Sequence, residues 1–424
     1  MNFIINTAWL IVEKLFFLIG GFIVSVVVAK HIGPEGMGVI SYALTIAAVL
    51  IAISEFGSHH IIFNRTIKRK ESARKLIIYT RRFRTVVYLF LCCLFCCFYY
   101  IKNGVTDNFI VIITVITGSL YTAIEVYKYY FNGCLRSKVN AISAQIALIV
   151  ALVVRYVFVE VDLPFVFFGI PFVIQPLICF FIRKREFQIE VKQNKKNKTV
   201  EKKYIKYISI TGSFLIITNV SVIAYTKIGN IFLLEIVNEA SLGVLSVGVT
   251  LSNIWTFVPL ALMTSISTLA FKEKVNKELI SGLGFINFLG VFISIPFIFI
   301  VYEYSESIVY KTYGEDFIQV SKILTILSVS ALFSILGIIN ARFISYKSGY
   351  KYLLYKTLLL AIVSIPLSYF LITSYGIVGA ATSILIMEIL SCTIFNYFFE
   401  RNIILKSHLR IFTSLGYAKK ILRR

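Results

Sequence analysis

Charge is what this sequence has least of. Asp, Glu, Lys and Arg make up 15% of its 424 residues, against about 25% in a soluble globular protein, so it is not an ordinary cytosolic enzyme, a disordered chain or a coiled coil. Acid is scarcer still, with 21 Asp and Glu beside 43 Lys and Arg. Catalytic signatures are missing: there is no phosphate-binding G-x-x-x-x-G-K-[ST] loop, no H-E-x-x-H helix, no G-x-S-x-G elbow and no Ser/His/Asp set. We therefore assign no catalytic residue, no metal site and no cofactor. The seven cysteines are odd in number, and Cys92, Cys93, Cys96 and Cys97 fall inside the apolar run 86–101. They read as small packing residues rather than a metal or redox site, and a disulfide framework is not expected. The first apolar stretch, 8–29, is too long for the core of a signal peptide. It has no Lys or Arg before Lys14 and no A-x-A-like cleavage site, so it should persist as a membrane helix.

What the sequence has in abundance is apolar surface. Hydrophobic residues make up 58% of it, aromatics 15%, and the mean hydropathy is +0.84. The fold class that follows is all-α, a polytopic membrane protein with about twelve spanning helices. Apolar runs between polar breaks place them near 8–29, 37–56, 85–101, 109–131, 141–159, 165–182, 207–237, 242–271, 282–302, 319–339, 357–373 and 377–398. At roughly 20 residues per span, twelve leave no room for a large extramembrane domain.

The basic excess is distributed, not clustered. If both termini and the even-numbered connections share one side, that side holds 35 Lys and Arg and seven acids, and the opposite loops hold three bases and nine acids. By the positive-inside rule both termini are cytoplasmic, and the excess records orientation instead of nucleic-acid binding. Runs such as Lys195-Lys196 and Lys202-Lys203 could also meet anionic lipid headgroups. The most polar connection lies near mid-chain and suggests a six-helix lobe at 1–190, a cytoplasmic linker at 191–206, a second six-helix lobe at 207–398 and a basic surface tail at 399–424. A short repeat supports two lobes, because Leu242-Gly243-Val244-Leu245-Ser246-Val247-Gly248-Val249-Thr250 echoes Met37-Gly38-Val39-Ile40-Ser41-Tyr42-Ala43-Leu44-Thr45 at a constant offset of 205. An even number of helices between the copies gives a parallel pseudo-two-fold repeat, which places a substrate site between lobes.

Asn6-Thr7-Ala8-Trp9-Leu10 and Lys14, then Ala29-Lys30-His31-Ile32-Gly33-Pro34-Glu35-Gly36-Met37-Gly38, resemble the opening of the polysaccharide flippases (Wzx type, O-antigen and related repeat units). These belong to the multidrug/oligosaccharidyl-lipid/polysaccharide exporter (MOP) superfamily. Leu242-Gly243-Val244-Leu245-Ser246 looks like the second such turn of that family, and Val309-Tyr310-Lys311-Thr312-Tyr313-Gly314-Glu315-Asp316-Phe317 looks like its "YG-x-x-F" loop. The resemblance implies two six-helix bundles, alternating access, and flipping of polyprenyl-pyrophosphate-linked oligosaccharide across the bacterial inner membrane for O-antigen, capsule or exopolysaccharide. It also implies membrane lipids as partners, with a polymerase and a chain-length regulator of the same pathway, and no enzyme activity.

Ionisable residues within spans are costly and normally face a cavity or a partner. The candidate cavity cations are Lys14, Lys227, Arg155, Lys128 and Lys30, and the candidate proton or cation carriers are Glu13, Glu125, Glu235, Glu55 and Glu388. Lys14 has the alternative of snorkelling to the interface, and Lys322 reads as an interface residue. Glu125 and Lys128, three apart, can pair on one helix face, or Lys128 can anchor at the interface. Lys227 follows Thr226, where the family often carries an acid, which puts a cation-coupling role for that position in doubt. Pro259, Pro296 and Pro366 are candidate hinges, beside Pro171 and Pro176. Two other readings stay open, a drug or cation exporter of the same superfamily and a membrane glycan polymerase or ligase. The latter is disfavoured because the longest outer loop is 303–318, and the one acidic pair at metal-binding spacing, Glu160-Val161-Asp162, sits in a five-residue turn.

Overall fold

Gly33 bends the first helix. In the computed structural model α1 runs Asn2–Ser54, and its one non-helical residue is Gly33, at φ 68° and ψ −177°, followed by Pro34. That backbone region belongs to glycine alone, so one continuous rod supplies two arms that coincide with the first two expected spans. The structure describes residues 2–190, 198–271, 273 and 276–417, with side chains from Gly20 onward except 24, 198, 268, 269, 276, 412 and 415.

The remaining helices follow in order: α2 (Ser58–Lys68), α3 (Lys70–Asn103), α4 (Asp107–Ile124), α5 (Tyr127–Gly133), α6 (Ser137–Glu160), α7 (Pro171–Glu190), α8 (Lys198–Ile236), α9 (Glu239–Asn253), α10 (Phe257–Ala270), α11 (Asn276–Tyr313), α12 (Val320–Tyr346), α13 (Tyr350–Cys392), α14 (Ile394–Tyr397) and α15 (Ile403–Leu409). Among the described residues ten helical segments are long and apolar enough to cross a membrane. Two of them bend at a glycine, Gly33 in α1 and Gly376 (φ 56°, ψ −127°) in α13, so the ten rods accommodate the twelve expected spans. The repeat extends beyond its sequence match. Asn238, 205 residues after the Gly33 bend, is the extended break between α8 and α9, and its side chain caps Ser241 N.

The helices are longer than their apolar windows. α3 starts at Lys70 instead of 85, α7 runs on to Glu190 instead of 182, and α13 starts at Tyr350 instead of 357. Hydropathy marks the part of a helix that faces lipid, while the hydrogen-bonded rod continues into amphipathic turns that pack on neighbours. Lipid-facing side chains on α3, such as Val86, Phe90, Leu94 and Phe98, are exposed, whereas Leu76, Ile77 and Tyr88 are buried.

The chain divides into two compact units, Met1–Ile223 and Ala224–Arg424. In the first, α1 packs on α3, α4 and α6, and α7 packs on α4 and α6. A core of Ile62, Leu76, Ile77, Tyr130, Phe131, Phe187 and Ile208 ties α2, α3, α5, α7 and α8 together. In the second, α12 packs on α9, α11 and α13. The expected linker 191–206 is helical from Lys198 as the start of α8, and 191–197 lie outside the described residues. The tail differs from a surface segment: Ile403 and Ile404 of α15 are buried in a core with Leu279, Leu283, Phe343 and Ile344. Pro259 sits in the first turn of α10, just after a short 3₁₀ break at Ile254–Thr256, where its missing N–H costs nothing. Pro296 and Pro366 lie inside α11 and α13, whose non-helical residues are Tyr304 and Gly376 instead.

Candidate functional site

Each unit holds a cavity with charged and polar side chains set in a largely apolar wall. In the first unit a cavity of about 410 Å³ is lined by Ser119, Thr122, Glu125, Lys128, Tyr129, Gln175 and Arg183, with an apolar wall that includes Leu44, Ile51 and Phe172. Glu125 stands there because the helix breaks at it: α4 ends at Ile124 and α5 begins at Tyr127. The freed carboxylate caps the new helix, accepting from Lys128 N at 3.0 Å. Its other oxygen takes Arg183 Nη1 at 2.8 Å.

The carboxylate thus meets the Lys128 backbone and a guanidinium from α7, a partner that its spacing along the helix did not announce. Arg183 is fully engaged, donating from Nε to Ser143 Oγ at 2.7 Å and from Nη2 to Asn140 O at 3.2 Å. Both partners are buried. Pairing offsets desolvation here, and removing one partner would strand a charge.

Arg155 is also buried, with its guanidinium carbon 4.4 Å from the centre of the Phe172 ring and no acceptor at Nε. Phe172 lines the cavity, and Arg155 stands behind it. Glu55, buried at the joint between α1 and α2, receives Tyr129 OH at 3.5 Å and faces His59 Nδ1 at 3.9 Å. Lys30 is exposed beside the Gly33 bend, and Lys322 is exposed on α12. Glu13 and Lys14 lie on α1, but their side chains fall outside those described.

In the second unit a smaller cavity, about 170 Å³, is lined by Tyr225, Thr226, Lys227, Asn230, Ser252, Asn253, Ser330, Ser334 and Glu388. Lys227 and Glu388 are thereby brought to one site from α8 and α13. Ser334 lines the cavity beside Glu388. Glu235 is exposed at the end of α8 and does not join them.

Three basic residues that the sequence placed in loops are buried among helices. Arg84 is fully buried, donates from Nη1 to Ser58 Oγ at 3.1 Å, and has no acceptor at Nε or Nη2. Lys356 is buried and donates to Asn396 Oδ1 at 2.9 Å. Arg183 is the third. Hydropathy could not find them, because each sits just past an apolar window. One signal existed: Glu125 lay within a span, and Arg183 was the first base after the run 165–182.

Among the described residues all seven cysteines are free, and no group of three His, Cys, Asp or Glu side chains could hold a metal ion.

Comparison with known proteins places this architecture. Residues 3–270 match the family described as polysaccharide biosynthesis protein. No curated protein matches the chain by sequence. Among solved structures it is similar to the lipid II flippase MurJ in an inward closed conformation, with a TM-score of 0.69 and 15% identity over 99% of this chain and 96% of that one. It is also similar to an inward-facing multidrug resistance MATE family transporter of the MOP superfamily, with TM-score 0.61 and 14% identity over 95% and 96%. A third is a MOP superfamily transporter from Pyrococcus furiosus, with TM-score 0.63 and 12% identity over 96% of each chain. Identities this low carry the fold, which the chain shares with all three.

Proposed function

We propose, because the chain belongs to the polysaccharide biosynthesis protein family, that it flips polyprenyl-pyrophosphate-linked oligosaccharide repeat units across the bacterial inner membrane by alternating access. The observation that carries this reading is the placing of bases on cavity walls: Lys128 beside the Glu125–Arg183 pair in one unit, Lys227 in the other. A pyrophosphate is very costly in hydrocarbon, and charge-assisted hydrogen bonds from Lys or Arg in a low-dielectric cavity offset that cost. The Ser, Asn, Thr and Tyr side chains beside Lys227 suit sugar hydroxyls. The polyprenyl tail stays in the bilayer. Lys14 and Arg155 are further cationic positions on this path, and Glu388, Glu125 and Glu55 are the acids available to carry a coupling ion. Both termini face the cytoplasm in this reading. A polymerase and a chain-length regulator act on the product outside, in the service of an O-antigen, capsule or exopolysaccharide.

The test is reconstitution. Purified protein in liposomes carrying fluorescent polyprenyl-pyrophosphate oligosaccharide should move the sugar from one leaflet to the other, measured by protection from an external glycosidase. Lys227→Ala, at equal incorporation, should slow the transfer at least about tenfold, the cost of one charge-assisted contact. Full transfer by the variant would remove Lys227 from the path. If the wild-type chain moved no glycolipid but expelled an organic cation, the exporter reading would replace this one.

A further inference from the structure

The chain after Phe399 is both strained and titratable. Glu400, Arg401 and Asn402 are three consecutive non-glycine residues in the left-handed region, with φ of 35°, 54° and 61°. Such backbone is costly for any residue with a Cβ and persists only where its surroundings over-determine it. Here the surroundings are the seat of α15. Ile403 and Ile404 are buried against Leu279, Leu283, Phe343 and Ile344, Ser414 and the Ser407 carbonyl lie against Gly284 of α11, and Tyr417 OH donates to Glu273 Oε1 at 3.0 Å.

The polar pin of this seat is His408. Its Nδ1 is 3.0 Å from Tyr397 OH, and its Nε2 is 3.5 Å from Asn340 Nδ2. Asn340 directs the same amide nitrogen at the Cys392 carbonyl and sulfur, 3.4 and 3.8 Å away, which fixes Nδ2 as the donor. Nε2 must then be the acceptor, so the imidazole is neutral with its hydrogen on Nδ1. A proton on Nε2 would set two N–H donors face to face.

The charged and titratable groups on the packed elements do not help a cation. Lys356, Glu388 and Cys392 lie on α13, Tyr397 on α14, Arg342 on α12 and Glu278 on α11. Glu400 and Arg401 lie in the turn, and Lys406 and Arg410 on α15 itself. Among the described residues no carboxylate pairs with His408, and Lys356 is bound to Asn396.

We propose that residues 400–417 are a releasable clasp on the C-terminal unit: α15 stays seated while His408 is neutral, and the left-handed turn before it supplies the strain that lifts it when His408 takes a proton. Burial pushes the His408 imidazole from its ordinary 6.5 down to about 4. The released tail regains the ordinary value, so seating is fully favoured above pH 6.5 and weakens as pH falls from there toward 4. Between pH 8 and pH 5 the seating equilibrium should drop about 30-fold. Release would free the ends of α11 and α12 that α15 holds, loosening one end of this unit.

The experiment is thiol trapping on the full-length protein carrying Ser407→Cys, a buried position, and Thr413→Cys, an exposed one. Labelling rates are read peptide by peptide by mass spectrometry, and the ratio of the two positions cancels the intrinsic effect of pH on thiols. That ratio should rise about 30-fold from pH 8 to pH 5. Adding His408→Gln should abolish the rise, and Arg401→Gly, which relieves the left-handed turn, should lower the ratio about fivefold at pH 8. Cys92, buried in the first unit, reports global unfolding and should stay unlabelled throughout. A flat ratio, an equal rise with His408→Gln, or labelling of Cys92 in step with position 407 would overturn the clasp.

Discussion

A single buried ion pair shows what the membrane interior demands of a residue. Glu125 was recognisable in the sequence as a charge inside a span, yet the bidentate demand of its carboxylate is met in part by Arg183, 58 positions away. Singly, Arg183→Met and Glu125→Gln should each cost about 3–5 kcal/mol, because each leaves a buried polar group uncompensated. The double variant should lose clearly less than the sum of the two. Melting temperatures of detergent-solubilised protein, followed by fluorescence-detected size exclusion, check this, and strictly additive losses would mean the pair is not coupled. Lys227 and Glu388 repeat the lesson, since each was legible as an intramembrane charge and only folding put them at one cavity.

At the scale of helices, the apolar runs found the spans well and their ends poorly. Lipid contact writes itself into composition over about 20 residues, so the centres of the runs coincide with α3, α6, α11 and α12. The ends depend on packing, and Arg84, Arg183 and Lys356 were misplaced in loops for that reason. Prolines were the expected hinges, but the sharp turns within rods fall at Gly33 and Gly376, where φ is positive and a Cβ would meet no neighbour within 4 Å. The cost of alanine there is thus conformational. Gly33→Ala and Gly376→Ala should each destabilise by about 1–3 kcal/mol, and nearly additively, because the two sites lie in different units. Thermal unfolding of the single and double variants measures it. An alanine at either site without effect would show that the bend relaxes into straight helix.

For the whole molecule, orientation is the property that the charge distribution predicts most directly. Impermeant maleimide added to intact cells should label Tyr310→Cys, an exposed position in the acidic connection 303–318. It should reach Lys347→Cys, in the basic connection 340–356, only after permeabilisation. The reverse pattern would invert the assigned topology. The sequence by itself determined the membrane class, the number and centres of the spans, the two-fold repeat and the family, because each is a local or periodic property that lipid and chain direction impose residue by residue. Only the tertiary structure decided which charges are buried, which meet at a cavity, and that the tail folds back beneath α11 instead of lying on a surface. Those outcomes depend on contacts between residues tens to hundreds of positions apart, and a buried charge selects its partner by distance through space, where sequence spacing carries no information.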